Sequence, residues 1–261
     1  MAIRFVDVLR QIVTGGLAGA VTGIVVAGAG GRLVMRAAAA LNPQATGART
    51  ENGELVGAIT LGGSAFLIVF NGLLAGVTAG IVWVVLAPWL PRGRWRLPMA
   101  MIAAAAIGTP LLVQPDNPDF RILEADVPIL AMLIGLVALI GLAIAWLDGL
   151  LDRRLARPSN GPLPLGVIYA AATLPGLLFV PLALGFYLSA ETCGCPDPPI
   201  AVGLALVAVG LATALLWAIR IVSGRSEPPA ALAVAGRIAV LAAVLLGAIR
   251  VVSDVSRILA I

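Results

Sequence analysis

The sequence predicts an all-α, polytopic integral membrane protein: a bundle of about seven transmembrane helices in a single domain over residues 1–261. Three observations predict it. Hydrophobic residues make up 61% of the chain and charged residues 11%, where a soluble domain carries roughly 25% charged residues. The mean hydropathy is +1.06. Charge-free runs of membrane length recur along the chain, joined by short loops. A chain so poor in charge can bury its apolar surface only in lipid, and its length suits about six to eight crossings.

The first run, residues 11–31, is free of charge for 21 positions, about 31 Å as a helix and matched to the hydrocarbon thickness. With its flank it predicts a helix over roughly 11–36. Its outer end, "VVAGAGGRLVM", resembles a dinucleotide-binding turn, with Glu51 about twenty positions on. Leu33 stands where the third glycine is needed, however, and no alternating βα pattern follows. Ala27-Gly28-Ala29 also resembles the small-residue site of a cleaved leader. The run is long for a leader, and its glycines have a packing explanation. Gly15, Gly19 and Gly23 recur every fourth residue, as do Gly72, Gly76 and Gly80 on the second span, 58–87. Such stripes let backbones approach closely, so the first two helices are expected to pack as an antiparallel pair.

The third span, 97–114, contains Gly108-Thr109-Pro110, and the fifth, 164–188, contains Pro175-Gly176 and Pro181. Both are expected to kink or break there, and broken helices line substrate sites in many transporters. The fourth span covers 127–147, the sixth 199–219 and the seventh 229–257.

Counting arginines by alternate side, one face collects Arg4, Arg10, Arg92, Arg94, Arg96, Arg153, Arg154, Arg157, Arg220 and Arg225. The other has Arg49, Arg121 and Arg257, with Arg32, Arg36 and Arg250 near helix ends. The positive-inside rule then places the N-terminus in the cytoplasm and the C-terminus outside. The net charge of +4 is therefore a topology signal, and no nucleic-acid partner is expected. Trp83, Trp89, Trp95, Trp146 and Trp217 all fall near the predicted inner ends, where they would form an interfacial belt.

All 17 basic residues are arginine and histidine is absent; with abundant Ala, Gly and Pro this points to a GC-rich bacterial genome and a bacterial inner membrane. The absences exclude a retinal Schiff base, bis-His haem, His-containing zinc sites and Ser-His-Asp catalysis. No nucleophile, base and metal set can be assembled, so no catalytic residue, metal or cofactor is expected.

Arg237 follows seven apolar residues after Pro229, about 10 Å into the seventh helix. It must snorkel to the inner interface or meet carbonyls, water, an anion or a lipid phosphate. Arg32 and Arg36 share a helix face at i,i+4 and need outside partners, whereas Arg250 and Asp254 can pair with each other. The obvious partner for the first two is the acidic segment "QPDNPDFRILEAD", with Asp116, Asp119, Glu124 and Asp126. That cluster lacks the ordered spacing of a calcium loop and reads as a solvated or salt-bridged cap, against which a loop bearing Glu51 and Glu54 can fold. Cys193 and Cys195 lie in an outer loop where a disulfide is permitted; without a Cys-x-x-Cys pair they read as a turn staple or a free dithiol. "DGLLDRRLAR" resembles the start of the carboxylate motif of CDP-alcohol phosphatidyltransferases, but the next thirty residues hold no aspartate. Asp148 and Asp152 are therefore expected to pair locally with Arg153 and Arg154.

These readings point to binding or transport of a small anionic solute or anionic lipid, with Arg237, Arg32 and Arg36 as contacts. The alternative is a non-catalytic structural or regulatory subunit whose glycine faces and outer loops engage other membrane subunits. Transport predicts a polar cavity near the midplane that reaches Arg237; a subunit predicts a dry, filled bundle.

Overall fold

The computed structural model describes residues 1–49, 55, 56, 58, 60–122, 127–157, 163–225 and 227–260. Among the described residues, seven helices of 13 residues or more run antiparallel in sequence order: α1 (Ala2–Leu41), α2 (Leu61–Leu86), α3 (Arg96–Gly108), α4 (Val127–Arg154), α5 (Leu163–Leu188), α6 (Ile200–Ser223) and α7 (Ala230–Ile258). All but α3 are long and apolar enough to cross a membrane. The shorter α3 nevertheless traverses the bundle: Arg96 meets Asp148 near the end of α4, while Val113 packs on Leu130 near its start. It stops at Gly108 and continues as a 3-10 turn, Thr109–Leu111, because Pro110 has no N–H to extend the ladder. In α5, by contrast, Pro175 and Pro181 sit inside an unbroken helix.

The 40 residues of α1 extend about 60 Å, twice the roughly 30 Å hydrocarbon core, so its charged ends stand in the headgroup layers. α1 and α2 meet along their glycines. A Cβ on Gly19 would lie 2.5 Å from both Gly76 O and Gly80 Cα, and one on Gly23 would collide with Gly72 O and Gly76 Cα. Each helix also carries one π turn, Gly23–Gly28 in α1 and Phe66–Asn71 in α2, and the two pack at one level, with Gly28 against Ile68. The same device recurs elsewhere: Gly141 of α4 lies against Ala100 of α3, and Gly247 of α7 against the Ala106 carbonyl. Lipid tails are as apolar as leucine, so helices associate through close packing of this kind.

The main core joins Leu86, Trp89, Ile107, Tyr187, Leu206 and Val240, contributed by α2, α3, α5, α6 and α7 and the segment after α2. A second core joins Ala18, Trp83, Ala100, Ile140 and Ile144 between α1, α2, α3 and α4. Outward faces are also apolar, as at Phe66, Phe70, Val167, Leu177 and Leu178, a surface suited to lipid and not to water. The tryptophans depart from the expected belt. Trp95 and Trp146 are exposed, but Trp83 and Trp89 are buried inside the bundle. Trp89 packs its ring on Gly236 and donates its indole N–H to Thr213 Oγ1 at 2.8 Å, which donates in turn to Val85 O at 2.7 Å. The interior offers the Trp89 indole a ring surface and an acceptor together, which a headgroup layer supplies only in part.

Candidate functional site

A cavity of about 270 Å³ opens among the helices at their arginine-rich end. Helical spacing brings its polar groups together. α1 contributes Gln11, Thr14 and Gly15 at i, i+3 and i+4; α4 contributes Asp148, Gly149 and Asp152 at i, i+1 and i+4; α6 contributes Trp217 and Arg220 at i and i+3. Trp83 and Val84 of α2, Ala87, Pro88 and Arg92 from the following loop and Arg96 of α3 complete the wall.

Two ion pairs brace this end. Arg10, almost fully buried, donates to Asp152 Oδ1 at 2.7 Å and to the Asp152 carbonyl at 3.2 Å, with Asp7 at 3.7 Å. Arg96 pairs with Asp148 at 2.7 Å and lies 5.3 Å over the Trp83 ring, a cation–π stack. These pairs correct the expected local pairing of Asp148 and Asp152 with Arg153 and Arg154. Arg153 and Arg154 stand at i+1 and i+2 from Asp152 and at i+5 and i+6 from Asp148, not at the i+3 or i+4 spacing at which helical side chains meet; Arg153 donates to Gly149 O, and the two carboxylates face α1 and α3.

Among the described residues, Arg92 and Arg220 have no carboxylate partner. Arg220 donates only to Gln11 Oε1, at 3.4 Å, and Gln11 donates onward to Asp7 Oδ2 at 3.2 Å. The like charge of Arg92 and, more weakly, the opposite charge of Asp7 act on it as well. The buried polar atoms without partners that line the cavity are all donors: Arg96 Nε, Arg220 Nε and Trp217 Nε1, with Trp83 Nε1 lying beside the Asp148 carboxylate. A half-buried site with surplus positive charge and surplus N–H groups is complementary to an anion that brings acceptors.

The residues singled out from the sequence lie elsewhere. Arg237 is exposed on the outer face of α7, on a surface shared with Val234, Ile238 and Leu241, and does not line the cavity. Arg32 donates to Ala58 O at 3.2 Å, far along α1 from the cavity, and Arg36 stands one turn further on. Asp116 is exposed; Asp119 opens a short helical turn, Asp119–Ile122, and donates its N–H to Asn117 Oδ1 at 2.8 Å. Glu51, Glu54, Glu124 and Asp126 lie outside the described residues. Cys193 and Cys195 form a disulfide in the loop before α6, where Asp197 meets Arg250 at 2.8 Å and Arg250 also pairs with Asp254 at 2.7 Å. The cavity residues had a signal of their own: polar side chains at helical spacing near the same end of α1, α4 and α6.

No family model matches the chain, nor does any curated protein or solved structure. The fold itself defines the class, a multi-pass helical membrane protein resident in a lipid bilayer.

Proposed function

We propose that this protein binds a small anionic solute or the anionic headgroup of a lipid in the arginine-rich cavity. The positive-inside rule places that cavity on the cytoplasmic side of a bacterial inner membrane, with the C-terminus outside. One observation carries the reading: Arg220, held half-buried beside Arg92 and Trp217, has donors to spare and makes no ion pair with a carboxylate among the described residues. Arg237, on the lipid-facing side of α7, is a second contact, snorkelling to phosphates at the inner interface. Arg32 and Arg36 offer a further anion contact at the opposite end.

The test is inorganic phosphate binding by purified protein in mild detergent, read as ligand-induced thermal stabilisation, for wild type and Arg220→Gln. Hydrogen bonds to a charged group contribute about 1.5–3 kcal/mol, so Arg220→Gln is expected to weaken phosphate about 10- to 100-fold. Equal affinity in the two proteins would remove the cavity from the reading. Loss of copurifying anionic lipid in Arg237→Gln would support the second contact.

A further inference from the structure

The outer surface next to the cavity carries a second concavity of a different kind. Leu97 of α3 and Leu142, Ala143 and Trp146 of α4 line a cleft of about 300 Å³ whose accessible wall is entirely apolar. The two features share their helices. Arg96, which lines the cavity, immediately precedes Leu97, which lines the cleft; Trp146 stands two residues before Asp148. On α4, Gly149 of the cavity is seven residues beyond Leu142 of the cleft, two turns along nearly the same stripe. The Arg96–Asp148 ion pair ties together the two helices that form the cleft. Trp146 is 57% exposed, as an indole at the headgroup boundary would be.

We infer that the anion is part of a phospholipid, its single acidic phosphate headgroup seated in the cavity and one acyl chain lying along the α3–α4 cleft. This rests on the anion-binding reading of the same cavity and commits it to a ligand. Charge complementarity selects the headgroup, because the cavity offers unpaired guanidinium and indole N–H donors, and a phosphodiester supplies anionic acceptor oxygens. The absence of polar wall in the neighbouring cleft selects the chain, because a freely soluble anion has nothing to place there. A bilayer lipid carries its phosphate and its chain on one molecule, as two sites on adjoining residues of α3 and α4 require.

The experiment uses the full chain in phosphatidylcholine nanodiscs doped with phosphatidylglycerol, with native mass spectrometry counting retained lipids. Phosphate-induced thermal stabilisation of the same proteins is measured in parallel. Wild type is expected to retain one phosphatidylglycerol with at least tenfold preference over phosphatidylcholine. Ala143→Trp, which fills the cleft, is expected to abolish that preference while leaving the response to phosphate unchanged. Trp146→Ala removes a cleft wall without adding volume, and is expected to lower retention in the same way if Ala143→Trp fails to fold. Arg220→Gln is expected to lose both lipid preference and phosphate response. If Arg220→Gln loses the phosphate response but no protein prefers phosphatidylglycerol, or the cleft variants retain it as wild type does, the lipid inference falls and the anion reading stands. If Arg220→Gln changes neither, both fall.

Discussion

Gly19→Ala, compared with Gly16→Ala, isolates the closeness of the α1–α2 seam in the loss of a single contact distance. Both glycines lie in α1, and both substitutions make the same change in helix propensity. A methyl on Gly16 meets nothing within 4 Å, whereas one on Gly19 lies 2.5 Å from Gly76 O and Gly80 Cα, both backbone atoms that no rotamer change can move. Ordinary contact needs about 3.5–4.0 Å, so the helices must part by about 1 Å, which forfeits a quarter to a half of each dispersion contact along the seam. Overpacking of this kind costs about 1–3 kcal/mol. The displacement also reaches the cavity, because Gly15, one turn earlier, packs on Trp83 and Val84 in its wall. Reversible unfolding in mixed micelles, followed by circular dichroism, measures the difference between the two variants. A Gly19→Ala protein within about 0.5 kcal/mol of Gly16→Ala would refute the reasoning, since that is the scatter of changes at sites without such a feature.

Asp152→Asn is expected to destabilise by about 1–3 kcal/mol, above an exposed pair and below a fully buried one, because the Arg10 side chain is only 4% exposed. A double-mutant cycle with Arg10→Met should recover part of the loss, and no destabilisation by Asp152→Asn would show that the bridge does not brace α1 against α4. Thr213→Val preserves shape but leaves the Trp89 indole N–H and Val85 carbonyl unpaired; the same unfolding assay is expected to show a loss of about 1–2 kcal/mol. A Thr213→Val protein as stable as wild type would mean that the indole finds another acceptor.

That the chain is a polytopic helical membrane protein is legible in it because six of its helices are long and apolar enough to cross a bilayer, a local property set by the length of charge-free sequence against a fixed hydrocarbon thickness. The break after Gly108 is local for the same reason, since the missing N–H of Pro110 acts within one turn. The site is not local. Arg96 and Asp148 are 52 residues apart, and Arg10 and Asp152 are 142 apart. Arg220 and Arg237 look alike in sequence, single arginines near the same end of successive helices. The first faces the cavity and the second faces outward, and only the rotation of each helix about its own axis separates them. In a water-soluble bundle the apolar stripe would reveal that rotation. In a membrane helix the lipid-facing and bundle-facing sides are equally apolar, so the sequence by itself determined that these segments cross a bilayer, and tertiary packing decided which of their few charges meet.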